Sequence, residues 1–247
     1  MKKSLAKDKT PEEHQPDPAA MEDIEGTTAV APREEHLPVA QTGHSSGDVN
    51  ESDLLIPRLN IVQSVGPLSG EFEGGDLVLN GETVIAPKNT PVNITVINIV
   101  KYYEENLPYE ANGPLPKRFG SIDEVLDAGM WTDWRGKERP PAREVAEATV
   151  LIQKPDDLES FSFSIECEDK FYALARWKMK GTAYGMAAKK IFTAEKIELR
   201  NTGLLSGTWQ LSSDRQLKGQ NYVFCPILRL TGKNSDDKIK LINELVG

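Results

Sequence analysis

The chain has 247 residues, with 29 Lys or Arg against 38 Asp or Glu and a formal net charge of −9. That length is enough to bury a sizeable core, while two cysteines, Cys167 and Cys225, do not make a disulfide scaffold and read as buried thiols. All three histidines, His14, His36 and His44, fall before residue 50, which removes Ser/His/Asp, Cys/His and His-rich zinc sites from the remainder of the chain.

Residues 1 to 50 hold five Lys or Arg, ten Asp or Glu and no aromatic residue. A segment so poor in apolar surface does not offset its ordering entropy, so it reads as a disordered acidic tail. The opening MKKSLAKDKTPEEHQ leads into charge and proline rather than an apolar run. No window reaches the apolar length of a membrane helix. The expectation is a soluble, cytoplasmic protein with a β-rich domain over residues 51 to 235 and a C-terminal amphipathic helix over 236 to 247.

The first strand candidate is LLIPRLNIVQS, residues 54 to 64, with Pro57 marking an edge position. DLVLNGETVIA, residues 76 to 86, reads as a hairpin about Asn80-Gly81, since both turn positions need positive φ. The Val- and Ile-rich run from Val92 to Tyr103 predicts a buried central strand, and residues 104 to 118 a loop punctuated by Pro and Gly. Ser121 as N-cap, Glu124 three residues on and a stop at Gly129 predict a short capped helix. An irregular loop then carries Trp131 and Trp134 near Arg135, Lys137, Arg139 and Arg143.

Strands resume at VAEATVLIQK and at SFSIECEDKFYALARWKMK. From Ala183 to Leu199 the apolar positions 183, 187, 191 and 194 share one helical face, with Lys189 and Lys196 on another. GTWQLSS and NYVFCPILRLTG form a last β pair across the polar turn DRQLKGQ, and in DDKIKLINELVG the residues Ile239, Ile242 and Leu245 line one side of a helix. Short strands in sequential hairpins with one main helix predict an α+β fold, a small antiparallel barrel or strongly bent sheet of the OB-like kind.

Between residues 170 and 233 there are twelve Lys or Arg against Glu195, Glu198 and Asp214, a local balance of +9. Along residues 170 to 180, alternation sends Phe171, Ala173, Ala175, Trp177 and Met179 to one side and Lys170, Tyr172, Leu174, Arg176, Lys178 and Lys180 to the other. A ladder of cations with a tyrosine is what a polyanion groove needs, because charges displace counterions and rings stack on unpaired bases. Lys189, Lys190 and Lys196 on the helix and Arg215 and Lys218 in the turn extend that expected surface. Tyr184, Trp209, Tyr222 and the two loop tryptophans are further ring candidates, whereas Trp177 belongs to the core by alternation.

A second pattern overlaps it. Pro155-Asp156 followed by Glu168-Asp169-Lys170 has the PD…ExK spacing of divalent-metal nucleases, in which Asp156 and Glu168 hold the cation, Lys170 polarises water, and Glu166 shares the strand face. No phosphate-binding glycine loop is present, and the leading reading needs no cofactor.

IPRLNIVQS after the acidic leader, RWKMKGTAYGMAAKKI, and WQLSSDRQLKGQNYVFCPILRL together resemble virus-encoded single-stranded-DNA-binding proteins of bacteriophages. The resemblance covers most of residues 54 to 231. It implies an OB-like barrel, single-stranded DNA as partner in replication or recombination, contact with the proteins of those processes, residence in the host cytoplasm, and DNA contacts at Arg176, Lys178, Lys180, Lys189 and Lys190. Family members commonly carry their acidic tail at the C-terminus, whereas here it leads the chain. The residues leave two further readings open, the metal-dependent nuclease and a virion or assembly protein whose basic face meets packaged genome.

Overall fold

In a computed structural model of the protein the described residues are 55–108, 113–159, 161 and 164–246; the expected acidic tail lies outside them. They form a mixed α+β fold of antiparallel strands with few helices. Asn80 and Gly81 adopt φ of 57° and 76°, the left-handed conformation expected at this turn. They join β2 (Leu77–Leu79) to β3 (Thr83–Ala86), and β1 (Leu59–Ile61) completes a three-stranded sheet in the order β1-β2-β3.

The larger sheet is built from β4 (Val92–Glu105), β5 (Arg118–Phe119), β6 (Ala142–Gln153), β7 (Ser164–Cys167), β8 (Lys170–Lys180), β9 (Gly207–Lys218) and β10 (Asn221–Lys233). Its order is β10-β9-β4-β6-β8-β7, with β5 on the far end of β4. The hydrogen-bond ladder does not close into the expected barrel, since β10 and β7 remain edges. Residues 57 to 63 instead run from one side of the opening to the other. The Pro57 carbonyl accepts the Arg176 amide at 2.8 Å, beyond the point where the four-residue β7 stops pairing with β8. The Gln63 side chain meets both the N–H and the carbonyl of Phe224 on β10.

One face of the sheet is buried across β9, β4, β6 and most of β8. Val92, Ile94 and Val96 of β4, the even-numbered residues 146 to 152 of β6, Ala173, Ala175, Trp177 and Met179 of β8, and Trp209 and Leu211 of β9 point into it. The small sheet covers it with Leu59, Leu77, Leu79 and Ile85, and the helical segment covers it with Ala187, Ala188, Ile191 and Ala194. That segment begins as a π-helical turn, Tyr184–Ala188, and continues as α2 (Lys189–Lys196). Phe171 has the inward parity but is 44% exposed, because it stands at the strand's outer end rather than over the core.

The opposite face is covered only in part. α3 (Asp236–Val246) lies over Ile97, Leu151 and Tyr172, with Ile242 fully buried among them and Leu174 and Leu205 alongside. The side chains facing inward from α3 are Lys238 and Ile242, four residues apart, and Leu245 is exposed, so the buried stripe is not the one drawn through 239, 242 and 245. Asn234 latches the start of this helix: its amide donates to the Leu205 and Gly207 carbonyls, and its oxygen accepts from Thr95 and Thr208.

Elsewhere local chemistry acts as read. α1 (Ile122–Asp127) starts at Ser121, whose hydroxyl accepts the Glu124 amide at 3.2 Å, and Gly129 follows it at φ 74°. The polar stretch after Ser213 is not a loop: β9 continues to Lys218 and turns at Gly219, φ 61°, directly into β10. Among the described residues, no helix is long and apolar enough to cross a membrane.

Trp177 is the largest side chain turned into this core from β8. Trp177→Ala is expected to lower unfolding free energy by about 3–5 kcal/mol, against less than about 1 kcal/mol for Phe171→Ala. Urea denaturation followed by circular dichroism would check the contrast.

Candidate functional site

The open part of the second sheet face is formed where the last residues of β4, the first of β6 and the last of β8 lie side by side. Register sets the neighbours: Lys178 pairs with Glu147 and Lys180 with Val145, which in turn pair with Val100 and Tyr102, while Glu104 faces Arg143 on one side and Arg118 on the other. The β-bulge at Ile97 makes this possible, since it shifts β4 by one residue and sends Val100, Tyr102 and Glu104 to the open face.

Glu104 is the anchor of this region. Its side chain is 1% exposed, and it accepts hydrogen bonds from Lys178 at 2.6 Å and from Arg143 at 2.6 and 3.0 Å. Burial favours its protonated form, but the hydrogen bonds from Lys178 and Arg143 outweigh burial and hold the carboxyl below the usual glutamate range. Arg143 also reaches Asn106, as does Arg139. Asn106 in turn ties the loop after residue 131 through the Pro140 and Pro141 carbonyls.

Five cations, Arg118, Arg143, Arg176, Lys178 and Lys180, thus share this face with two carboxylates, Glu104 and Glu147. The pKa of Lys180 is lowered by partial burial and by the positive charge of Arg143, with Lys178 adding to it. Tyr102 lies among them with Arg118 5.0 Å and Lys178 5.9 Å from its ring centre. The exposed Val100 continues the apolar surface beside it, and Trp134, 66% exposed, belongs to the loop beyond. An excess of positive charge around a ring attracts an extended polyanion with accessible planar groups.

The structure brings together three of the cations expected from the sequence, Arg176, Lys178 and Lys180. It does not bring the other seven site candidates to them. Tyr172 has the same parity but is 2% exposed beneath α3, with the Lys238 ammonium 4.6 Å from its ring centre. It therefore offers no stacking surface in this conformation. Lys170 stands beyond it at the far end of the strand. Lys189, Lys190 and Lys196 belong to α2 on the opposite side of the sheet, where Lys189 lies over the Tyr184 ring. Arg215 and Lys218 sit in the β9–β10 ribbon, past the Val92 end of β4; ten residues of strand at about 3.3 Å each put them more than roughly 30 Å from Tyr102.

Of the other rings, Tyr184 and Trp209 are core residues, whereas Tyr222 is 54% exposed and carries the Arg215 guanidinium 4.1 Å from its ring centre. Glu168 and Asp169 form the β7–β8 turn with φ of 51° and 60°. Glu168 thus stands in the turn and does not share a strand face with Glu166 and Lys170. Among the described residues no group of three His, Cys, Asp or Glu side chains is placed to hold a metal ion.

Sequence reading missed Tyr102, Arg118, Arg143 and Glu104 as one cluster. The available signal was the alternation Val100, Tyr102, Glu104, which continues the strand into residues assigned to a loop. No protein-family model, curated protein or solved structure matches the chain.

Because its folded pKa is depressed, Glu104 contributes stability that is present above the ordinary carboxyl range and is lost as pH falls through the folded value. Glu104→Gln, which leaves Arg143 and Lys178 without their shared carboxylate, is expected to cost about 2–3 kcal/mol at pH 7. Its penalty is expected to shrink toward pH 3, as read from urea midpoints of both proteins at the two pH values.

Lys238 behaves in the opposite sense. Burial pulls its pKa down to about 8, modulated by Cys167, Lys170 and Glu168. Because the docked helix holds fewer protons than the released one between the folded value and the ordinary lysine value of 10.5, docking strengthens as pH rises through that window. Protection of the 236–246 amides, corrected for intrinsic exchange, is expected to rise from pH 7.5 to 9.5 in the native chain and to stay flat in Lys238→Met.

Proposed function

We propose that this protein is a non-catalytic binder of single-stranded nucleic acid, with single-stranded DNA in viral replication or recombination as the partner. The observation that carries the reading is the open sheet face on which Arg176, Lys178 and Lys180 stand in a row beside Arg118, Arg143 and the Tyr102 ring. Side chains on one face of a strand recur about every 6.6 Å, twice the rise per residue. That is roughly twice the 3.4 Å per nucleotide of a stacked strand, so the row suits a stretched backbone whose bases have come apart and meet a ring. A deeply grooved duplex offers its bases only to an element that enters the groove, and this face is part of a sheet.

The antiparallel sheet, buried on one face and open and basic on part of the other, supports an OB-like mode of binding without ladder closure. The resemblance to bacteriophage single-stranded-DNA-binding proteins in residues 54 to 231 supports DNA as the partner. Glu104 keeps Lys178 and Arg143 extended and aligned, and Arg118 and Lys180 stand outside these ion pairs on the same face.

Fluorescence anisotropy with labelled oligo(dT) tests this. Affinity should fall steeply with salt, with a log–log slope of about −2 to −3 for three or four phosphate contacts. Arg118→Glu combined with Lys180→Glu, both outside the Glu104 ion pairs, should weaken binding by at least about 100-fold at low salt. Tyr102→Ala should weaken it by about tenfold, the range for one stacked base. Binding insensitive to salt and to the double reversal would sink the proposal.

A further inference from the structure

Along β8 the outward residues read Lys170, Tyr172, Leu174, Arg176, Lys178, Lys180: cations at both ends and a tyrosine between them. The helix α3 covers the middle of this row. It seats Ile242 in the cluster around Tyr172 and Leu151 and places Lys238 over the Tyr172 ring. Only the ends of the row, Lys170 on one side and Lys178 and Lys180 on the other, remain exposed.

The cover is weakly held for its position. Its two buried side chains are Ile242 and Lys238, and Lys238 is 5% exposed without an ion-pair partner among the described residues. A lysine charge enclosed against a tyrosine ring and a thiol region disfavours the docked state. Cys167 and Tyr172 face it from β7 and β8, and the carboxylate of Glu168 and the ammonium of Lys170 act on it from the adjoining turn. The helix start is fastened separately, through Asn234, so α3 can leave the sheet while remaining tethered to the end of β10.

We propose that Tyr172 is a second, concealed stacking position of the same nucleic-acid site, and that α3 is the element that conceals it. This inference rests on the reading of the open face as a single-strand interface. When α3 lifts, the row Lys170, Tyr172, Leu174, Arg176, Lys178, Lys180 becomes continuous, and a strand bound at Tyr102 extends along β8 to a second ring. Bound nucleic acid and docked α3 are then mutually exclusive over Tyr172 and Leu174, so each shifts the population of the other.

Hydrogen exchange on the full chain, with and without saturating oligo(dT) of about 20 nucleotides, provides the test. Amides of 236–246 should exchange about tenfold faster with the oligonucleotide bound, while those of β8 become more protected. Slower or unchanged exchange in α3, with oligo(dT) bound and β8 protected, overturns this inference and leaves the open-face reading standing. No binding at all overturns both.

Two full-length variants add an independent readout. Ile242→Asp releases the helix and should tighten oligo(dT) binding by about tenfold, a gain that Tyr172→Ala in the same background should remove. Lys238→Met retains the helix and should weaken binding several-fold. Should Ile242→Asp fail to fold, the Lys238→Met affinity and the native-chain exchange decide the matter, and a Lys238→Met affinity equal to or tighter than the native one counts against the proposal.

Discussion

Burying Trp177 decides where every other side chain of β8 points. A strand has a period of two, so a slip of one residue would exchange its faces and carry Arg176, Lys178 and Lys180 into the core. Trp177, with Ala173, Ala175 and Met179, fixes the strand against α2 and the small sheet, and the small residues at 173 and 175 leave room for the strand and helix layers to approach. The cationic row on the other side is held in place by an apolar contact that it does not touch. Charge alone would not have positioned it, because exposed cations gain little from any particular geometry.

On the open face a different force dominates. Glu104 is inaccessible to solvent yet charged, and it stays charged because Lys178 and Arg143 hydrogen-bond it from two neighbouring strands. One carboxylate thereby ties β4 to β6 and, across β6, to β8. It consumes only part of the local positive charge, and Arg118 and Lys180 lie outside its ion pairs. The face is neither a neutralised ion-pair lattice nor an array of loose lysines, but a small rigid core of ion pairs with cations around it.

Much of the chain was legible from local pattern. The capped helix at Ser121, the left-handed turn at Asn80, the central position of β4, and the opposed faces of β8 each depend on residues close together in sequence, and each is found. What escaped was decided at long range. Nothing within β8 announces that Tyr172 will lie beneath a helix arriving from the end of the chain. The alternation Val100, Tyr102, Glu104 hints that the strand runs on past Tyr103, but nothing local announces that Glu104 will be buried there, since its partners come from β6 and β8. Nearness in sequence groups Lys189, Lys190 and Lys196 with the β8 cations, but space does not. The turn at Gly181, φ 55°, carries the chain round to the other side of the sheet.

The crossing of residues 57 to 63 also governs how the molecule behaves among its own copies. An open sheet normally presents two long rows of unpaired backbone groups, each a template for another chain. Here the Pro57 carbonyl occupies part of the β8 edge that β7 leaves bare, and Gln63 satisfies both backbone groups of Phe224 on β10. The edge strand β7 has four residues, and β10 is interrupted by Pro226, which has no N–H to donate. Copies brought together at high concentration would meet with their sheet margins already blunted, so crowding need not become pairing of backbones.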